Sequence, residues 1–299
     1  MKLKPQKIRL KITGNCNKSC FFCHQEGGMS NIFDFKCDKE FQKCLTDFKK
    51  EIGIDEVILT GGEPTLNPEL EKMCKWFNNN DFKVNLTTNG SIIKDWKNIP
   101  LNKVTISIQS MFPEKILKIE TKKRSIKWAE RIIGNSIKNI KLLIKCGKKV
   151  RVNIVAINED ILEEIKEISK IDKDIDIRIL DNLSDSKNSN RIIDNLIKKL
   201  GAKKVREYRR VISSSRTIHY TSDLINFSIK RIYNEFLNFI CDKCPMKKYC
   251  YEKFYGIRLE KKESEYFVRL CLYRNDRGVL MPYKEFLGSE LKKEYLKQI

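Results

Sequence analysis

Three cysteines near the start of the chain have a spacing that suits an iron–sulfur cluster. Cys16, Cys20 and Cys23 are separated by three and then by two residues, and they follow directly on a short apolar segment. Three thiolates from one tight loop can hold three irons of a four-iron cluster and leave the fourth iron open to a substrate, unlike the all-thiolate ligation of electron-carrying ferredoxins. The alternative is a zinc site completed by His24, because thiolate and imidazole both suit zinc.

A second group of cysteines lies near the end of the chain. Cys241 and Cys244 form a doublet, and Cys250 and Cys271 follow it. Thiolates in this number bind an iron–sulfur cluster or zinc. We favour a second, auxiliary four-iron cluster, because a zinc ribbon usually pairs two close doublets and here the last cysteine stands alone. Four thiolates would close this cluster, whereas three would leave one iron open to substrate.

The elements that must position these cysteines alternate between strands and helices. Short β-branched or apolar segments predict buried strands over 7–13, 55–60, 82–88, 103–109, 149–156 and 175–180. Helical periodicity predicts helices over 37–51, 68–78, 136–146 and 160–169, with a further helix within 111–135. This alternation predicts an α/β fold in which six β/α units form a parallel sheet, curled into a partial, TIM-like (β/α)6 barrel. Catalytic groups are then expected at the carboxyl ends of the strands.

The residues after 183 are expected to form a C-terminal extension that carries the auxiliary cluster. A polar segment over 184–190 predicts a linker, and a helix is predicted over 191–200. The basic run 198–210 contains Tyr208 as its one aromatic residue, which favours a solvated helix face over a nucleic-acid site. The domains are therefore predicted over 1–183 and 184–299.

Small and polar residues mark the ends of the predicted strands. Thr60-Gly61-Gly62-Glu63 ends the second strand, where the glycines let a ligand approach the backbone closely and Glu63 offers a carboxylate to a cation. Thr87-Thr88-Asn89-Gly90 ends the third strand, Ser107 lies at the end of the fourth, and Asn153 lies on the fifth. Turn capping accounts for each of these alone, but together with the first cysteine loop they predict one site.

The cysteine loop, with the aromatic Phe22 directly before its third cysteine, and the Gly-Gly-Glu turn resemble the radical S-adenosylmethionine (SAM) superfamily. The resemblance implies that the open iron binds SAM, that reductive cleavage yields a 5′-deoxyadenosyl radical, and that this radical abstracts hydrogen from a substrate. It also implies an electron donor such as ferredoxin or flavodoxin. The SAM-binding residues that it implies are Phe22, Gly61, Gly62, Glu63, Thr88, Ser107 and Asn153.

The second cysteine group resembles, in part, the GTP cyclase of molybdenum-cofactor biosynthesis. The similarity includes the doublet, then Ile257-Arg258-Leu259, then Val268-Arg269-Leu270-Cys271-Leu272. The resemblance implies a lyase-type or cyclase-type reaction on a nucleotide or a similar small anion. It implies substrate binding by Arg9, Arg151, Arg258 and Arg269. Several of the cyclase's arginines are missing, however, and Ile58 stands where that family has one of them.

The alternative resemblance is to peptide-modifying radical SAM enzymes with SPASM or twitch extensions. In those enzymes two, five and three residues separate successive cysteines. Cys241, Cys244 and Cys250 fit the first two gaps, and Phe254 stands where the next cysteine should be. This resemblance implies a peptide substrate and an oxidoreductase type of reaction, with an auxiliary cluster closed by four cysteines.

Composition limits the remaining classes of protein. The net charge of +21 suits a nucleotide, a nucleic acid or an acidic protein as partner, although a lysine-rich composition alone also produces it. An odd count of 11 cysteines without a secretion signal argues against a disulfide scaffold. No apolar run is long enough to span a bilayer, and the first ten residues lack a signal-peptide core. We therefore expect a cytoplasmic protein without a membrane partner.

Overall fold

The fold is organised by one mixed β-sheet of twelve strands, in the order β12-β11-β10-β1-β2-β3-β4-β5-β6-β9-β8-β7. The computed structural model describes residues 6–24, 33–210, 215–232, 236–250 and 256–297. The strands are β1 (Gln6–Lys11), β2 (Ile54–Thr60), β3 (Lys83–Thr88), β4 (Lys103–Ser107), β5 (Lys149–Val155), β6 (Asp176–Leu180), β7 (Lys203–Arg210), β8 (Ser215–Thr221), β9 (Asn226–Ile232), β10 (Arg258–Lys262), β11 (Glu265–Arg269) and β12 (Leu280–Pro282). The helices are α1 (Lys39–Ile52), α2 (Leu70–Asn79), α3 (Pro113–Ile119), α4 (Ile126–Lys145), α5 (Ile161–Ser169), α6 (Ser186–Lys199), α7 (Asn238–Cys241), α8 (Tyr283–Gly288) and α9 (Glu290–Lys297).

The six predicted strands are confirmed as β1 to β6, which lie side by side in chain order and are all parallel. Helices follow all of them except β3, which leads to β4 through residues 89–102 without a helix, so the predicted parallel α/β sheet is confirmed with five of its six β/α units. The strand β5 illustrates the two faces of the sheet. Val150, Val152 and Ile154 are buried in the helix-covered core, while Arg151 and Asn153 alternate with them on the other face. That second face, called here the inner face, carries most of the polar groups discussed below.

The helix α1 shows why the local sequence folds as it does. The carboxylate of Asp38 accepts a hydrogen bond from the backbone N–H of Phe41 at 2.9 Å and caps the first turn. Phe41, Leu45 and Phe48 recur at helical spacing and are buried against the sheet. The helix ends at Gly53, whose positive φ of 78° is the left-handed conformation that glycine adopts without strain.

Three predictions about individual elements were wrong. The helix predicted over 136–146 begins ten residues earlier, at Ile126, where Ser125 caps it. The segment predicted as a linker over 184–190 is helical from Ser186, because the side chain of Asp185 caps α6. The basic run predicted as a helix face over 198–210 forms the edge strand β7 from Lys203 onward, since it pairs with β8.

Strands that follow residue 183 extend both edges of the six-stranded parallel sheet. On one edge β9 lies parallel to β6, and β8 and β7 continue the sheet in antiparallel pairing. On the other edge β10 lies parallel to β1, followed by antiparallel β11 and β12. The chain therefore crosses from one edge to the other between β9 and β10, and Cys241, Cys244 and Cys250 lie in that crossing. Among the described residues, no helix combines the length and apolar character that a membrane span needs.

Candidate active site

The first cysteine loop follows β1 at the carboxyl edge of the parallel strands. The backbone N–H of Cys23 donates to the carbonyl of Cys20 at 3.1 Å, which closes a tight turn. Cys16 and Cys23 are exposed, and Cys20 is half-buried. Burial raises the pKa of Cys20 most, and Cys23 and Cys16 also act on it electrostatically, so the side chains of the three cysteines lie near one another.

Burial is the largest influence on the thiols of this loop. It raises the pKa of Cys20 to about 12, and the nearby Glu120 carboxylate raises this pKa further while the Lys18 ammonium lowers it. Burial also raises the pKa of Cys16, against which a hydrogen bond from the Lys18 backbone acts. Without a bound cation the thiols of Cys16 and Cys20 therefore stay protonated at neutral pH. Iron ligation would release their protons, because a coordinated thiol is deprotonated.

Glu120 holds the cysteine loop in place. Its Oε2 atom accepts hydrogen bonds from the backbone N–H and the hydroxyl of Ser19, both at 2.8 Å. Cys20 and Glu120 also form an isolated antiparallel β-bridge, in which the N–H of Phe21 donates to the carbonyl of Ile119 at 3.1 Å. Sequence analysis missed Glu120, because it lies 100 residues beyond Cys20 and belongs to no motif.

The Gly-Gly turn lies against the start of the cysteine loop. The N–H of Gly62 donates to the carbonyl of Thr13 at 3.0 Å, and the N–H of Glu63 donates to that of Asn15 at 2.7 Å. A Cβ atom on Gly62 would lie 2.2 Å from the Asn15 carbonyl oxygen, and one on Gly61 would lie 2.3 Å from that of Thr13. The close approach that requires glycine is therefore made by the backbone of the cysteine loop itself, whereas the sequence interpretation attributed it to a ligand.

The carboxylate of Glu63 joins the ends of β2 and β3 and is fully buried. Its Oε1 atom accepts from the backbone N–H of Thr65 at 3.0 Å and from the hydroxyls of Thr65 and Thr88, both at 2.6 Å. Its Oε2 atom accepts from the backbone N–H of Asn89 at 2.6 Å. Each carboxylate oxygen carries about two lone pairs, and Oε2 accepts one hydrogen bond whereas Oε1 accepts three, so the acceptor capacity that remains lies on Oε2. Thr88, which was expected to bind SAM, directs its hydroxyl to Glu63.

The Thr-Asn-Gly turn after β3 is tied to the cysteine loop by amide side chains. Asn89 Nδ2 donates to Oδ1 of Asn17 at 2.9 Å, and Asn17 Nδ2 donates to the hydroxyl of Ser91 at 2.8 Å. The amide of Asn89 also lies 4.0 Å from the sulfur of Cys16. The ends of β1, β2 and β3 thus form one hydrogen-bonded assembly around the cysteines.

The remaining residues expected at the SAM site lie at the ends of β4 and β5 and beside the cysteines. Ser107 and Asn153 are register partners on these neighbouring strands. The Oδ1 atom of Asn153 is buried and has no hydrogen-bond partner among the described residues, and such an acceptor favours a ligand that donates a hydrogen bond. Phe22 is half-buried and its ring lies 5.2 Å from that of Phe21. The strand ends, the free acceptor and the thiol set fit a four-iron cluster with SAM.

The four cysteines of the second group line one small cavity. The cavity wall also includes Phe236, Ile240, Lys247, Leu270 and Arg274. The N–H of Cys244 donates to the carbonyl of Cys241 at 3.0 Å, the same turn that Cys20 and Cys23 form. Burial raises the pKa of Cys241 to about 11, and the charges of Cys250, Cys271 and Cys244 raise it further. Cys250 therefore belongs to the same group of thiols as the other three.

Neither cysteine group has the geometry of a single-ion site. In the described part of the chain, no group of three or more His, Cys, Asp or Glu side chains is arranged to hold one metal ion.

Three of the four arginines expected at the substrate site form a row across adjacent strands. Arg9 on β1 is the register partner of Arg258 on β10, which is the partner of Arg269 on β11. Arg258 and Arg269 are only 1% and 2% exposed. Arg269 makes a two-pronged ion pair with the buried Glu260, at 2.9 and 3.0 Å. The fourth arginine, Arg151 on β5, lies outside this row.

A second cationic group lies on the inner face around Lys103, which sequence analysis did not single out. Burial lowers the pKa of Lys103 to about 8; the charges of Arg151, Lys7 and Arg178 lower it too, and Glu56 opposes them. Arg151 Nε donates to Asp176 at 2.6 Å. The spacing of lysines along one strand does not predict this cationic group, because its positive charges come from residues on different strands.

Comparisons with known proteins agree with this geometry. A family model described as the radical SAM superfamily matches residues 10–171. The chain is 28% identical over 250 residues to the GTP 3′,8-cyclase of Nautilia profundicola, across 76% of this chain and 73% of that protein. It is 32% identical over 119 residues to a probable GTP 3′,8-cyclase of Methanococcus vannielii, across 38% of this chain and 40% of that protein. The match to this second relative thus spans less than half of the relative's length.

Solved structures show the same fold. Streptococcus suis SuiB superposes with a TM-score of 0.54 at 16% identity, covering 85% of this chain and 58% of that one. SuiB bound to its precursor peptide SuiA gives 0.51 at 17% identity, covering 67% and 47%. At such identities the likeness concerns the fold alone. The family match extends over more than half of the 299 residues, and by that match the chain belongs to the radical SAM superfamily.

Proposed function

We propose that this protein is a radical SAM enzyme whose substrate is a nucleotide or a similar small anion, transformed by a lyase-type reaction. Cys16, Cys20 and Cys23 would hold the four-iron cluster. When bound and reduced by one electron, the cluster with SAM supplies a carbon radical that removes a hydrogen atom from the substrate. The protein's own task is to orient SAM and the substrate on the inner face and to keep water away from them.

The strand ends provide the groups that would orient SAM. Oε2 of Glu63 offers its remaining acceptor capacity to an ammonium group, and the hydrogen bonds from Thr65 and Thr88 keep the carboxylate in one orientation. Oδ1 of Asn153 offers a buried acceptor to a hydroxyl group. A carboxylate held in one orientation in this way is a preorganised polar group.

The row formed by Arg9, Arg258 and Arg269 is the observation that carries the proposed substrate class. The three guanidinium groups concentrate positive charge on the inner face, and Glu260 compensates the charge of Arg269. A positively charged face of this kind favours an anionic ligand. Planar guanidinium groups also bind phosphate with two parallel hydrogen bonds. The names of the relatives, GTP 3′,8-cyclases, support a nucleotide as the anion.

An Arg258→Met variant tests this assignment. We expect the affinity for GTP, measured by equilibrium dialysis on the anaerobic enzyme, to fall about tenfold or more, because one charge-assisted phosphate contact is worth about 1.5–3 kcal/mol. Arg231→Met is the matched control, since Arg231 pairs with Asp194 on the helix-covered side of the sheet. Equal affinities for the two variants would contradict the proposal.

The Lys103→Met variant is expected to raise thermal stability while it weakens the binding of GTP. The folded pKa of Lys103 lies below its ordinary value, so its charge opposes folding at neutral pH and the free energy of unfolding rises with pH above about 8. We therefore expect the variant to melt about 2–4 °C higher at pH 7 and to bind GTP more weakly. Lys149→Met, at the exposed register partner on β5, should change neither quantity. A lower melting temperature for Lys103→Met would contradict this account.

A second candidate function is peptide modification. The observation that favours it is that Cys250 lines the same cavity as Cys241, Cys244 and Cys271. Four thiolates would close an auxiliary cluster, leaving no iron for the substrate to bind, so the cluster would act as an electron relay or a brace. A closed auxiliary cluster is also compatible with a nucleotide held by the arginine row alone.

Cys250→Ser tests whether the auxiliary cluster has four protein ligands. If Cys250 is a ligand, the variant should lose part of its iron or change the electron paramagnetic resonance (EPR) signal of the second cluster, while SAM cleavage by dithionite-reduced protein persists. Cys146→Ser is the control, because Cys146 is half-buried and lies outside both groups. An unaltered second signal in Cys250→Ser would exclude Cys250 as a ligand.

EPR of the anaerobically reconstituted protein decides between the two substrate classes. About eight irons are expected for two clusters, with one signal shifted by SAM. If adding GTP changes the products of hydrogen abstraction or the EPR signal of the second cluster, the result would support a nucleotide as the substrate. If the protein cleaves SAM but no nucleotide changes either observation, the result would contradict a nucleotide substrate and favour a peptide. About four irons with zinc present would mean that the second group is a zinc site.

A further inference from the structure

A strongly basic surface lies directly beside the first cysteine loop. It consists of residues 118–131 with Phe21 and Ile93, and is called here the loop-side surface. The cations of its continuous segment are Lys118, Lys122, Lys123, Arg124, Lys127 and Arg131. All of them except the half-buried Arg124 are exposed. The same segment contains two carboxylates, Glu120 and Glu130, and Glu120 is already bonded to Ser19. The surface therefore carries a net positive charge next to the cluster site.

Apolar side chains lie among these cations. Phe21 is 56% exposed, Ile126 is 40% exposed and Ile93 is 38% exposed, although large apolar side chains are usually covered. Exposed apolar side chains interspersed with cations are a composition that protein–protein interfaces use.

A cavity of about 660 Å³ opens on the loop-side surface. Asn17 of the cysteine loop forms one wall, and Arg124, Trp128 and Arg131 form another. The Arg124 guanidinium lies 5.0 Å from the centre of the Trp128 ring. Its Nε atom is buried without a hydrogen-bond partner among the described residues, which favours an acceptor arriving from outside, such as a carboxylate.

Hydrogen bonds connect the loop-side surface to the cysteine loop. The N–H and the hydroxyl of Thr121 donate to the carbonyl of Ser19 at 2.8 and 2.9 Å, and the N–H of Lys122 donates to the Ser19 hydroxyl at 3.2 Å. The N–H of Phe21 donates to Ile119. A protein bound to this surface would thus be held against Cys16 and Cys23, which are exposed.

We propose that the loop-side surface is the docking site for an acidic one-electron carrier protein. This inference rests on the proposed function, because a radical SAM reaction begins with one electron from outside. The carrier's reduced flavin or iron–sulfur group loses that electron and the enzyme's cluster gains it, with no atom transferred. An acidic carrier complements the exposed cations, which speeds association by electrostatic attraction. A phosphate backbone would use the cations but not the exposed apolar side chains, so a protein is the better fit.

Charge reversal in K123E/K127E/R131E tests the proposal, with K187E/K198E/K199E as the matched control. Both variants change the net charge equally, and the control residues are exposed on α6, which follows β6 and lies outside the loop-side surface. The probe is flavodoxin reduced by its NADPH-dependent reductase. We would measure its affinity for each variant by isothermal titration calorimetry at several salt concentrations, and SAM cleavage driven either by flavodoxin or by dithionite.

The proposal predicts that K123E/K127E/R131E binds flavodoxin at least about tenfold more weakly at low salt and cleaves SAM correspondingly more slowly with flavodoxin, while dithionite-driven cleavage stays unchanged. The control should match the wild type throughout. Equal flavodoxin affinity in both variants would overturn the docking site. The docking site would also be overturned if K123E/K127E/R131E alone lost salt-sensitive binding of bulk tRNA while it kept its affinity for flavodoxin. Absence of dithionite-driven cleavage in the wild type would instead refute the proposed function.

Discussion

The Cys20→Ala variant is expected to lose reductive SAM cleavage altogether. Cys20 is the central thiol of the loop, and two thiolates cannot retain three irons of a four-iron cluster. The variant should therefore lose about four irons and form no 5′-deoxyadenosine when it is reduced with dithionite under anaerobic conditions. Product would be measured by liquid chromatography and iron by a colorimetric assay.

Cys146→Ala is the matched control for this variant. Cys146 follows α4, is half-buried and belongs to neither cysteine group, so the control should keep its iron and its SAM cleavage. Retained cleavage in Cys20→Ala would refute the assignment of the first cysteine group. Loss of cleavage in both variants would show that the effect comes from general destabilisation, and the result would then not support Cys20 as a cluster ligand.

Gly62→Ala is expected to have the second-largest effect, although it adds a single methyl group. The added Cβ would lie 2.2 Å from the carbonyl oxygen of Asn15, and a backbone atom cannot move aside as the end of a flexible side chain can. The Gly-Gly turn or the cysteine loop must shift, which breaks the hydrogen bond from Glu63 to Asn15. We expect a loss of about 1–3 kcal/mol in the free energy of unfolding and impaired cluster assembly.

Gly134→Ala is the matched control for the same chemical change. Gly134 lies within α4 and its added Cβ would meet no atom within 4 Å, so the variant should gain about 0.5–1 kcal/mol. Denaturant unfolding followed by circular dichroism, together with iron content after reconstitution, measures both effects. Normal iron content in Gly62→Ala would contradict the view that this glycine is needed for the fit between the two loops.

The sequence by itself was sufficient for the features whose cause is local. Six strands and most helices follow from apolar periodicity, and the helix predicted over 37–51 is α1, which ends at Ile52. The first cysteine group was recognisable because its three cysteines lie within eight residues of one another. Residues this close in sequence lie close together in space, whatever fold the rest of the chain adopts.

Sequence reasoning failed for elements whose conformation depends on a partner. The run over 198–210 is polar enough for a solvated helix, yet its second part pairs with β8 as an edge strand. Strand formation there depends on hydrogen bonds to a segment that comes later in the chain, and local propensity does not contain that information. The cap of α6 by Asp185 was missed for a simpler reason, because polar residues signal caps and linkers alike.

Only the tertiary structure decided which distant groups share the candidate site. It brings Glu120 onto the loop of Cys20, gathers Cys250 and Cys271 around one cavity, and aligns Arg9 with Arg258 on neighbouring strands. Each of these contacts joins residues at least twenty positions apart, where strand order and register determine what meets. The sequence determined the kind of chemistry, because ligand type and short spacing are local properties. The fold determined which side chains support and surround that chemistry, because convergence of distant residues is a property of the whole sheet.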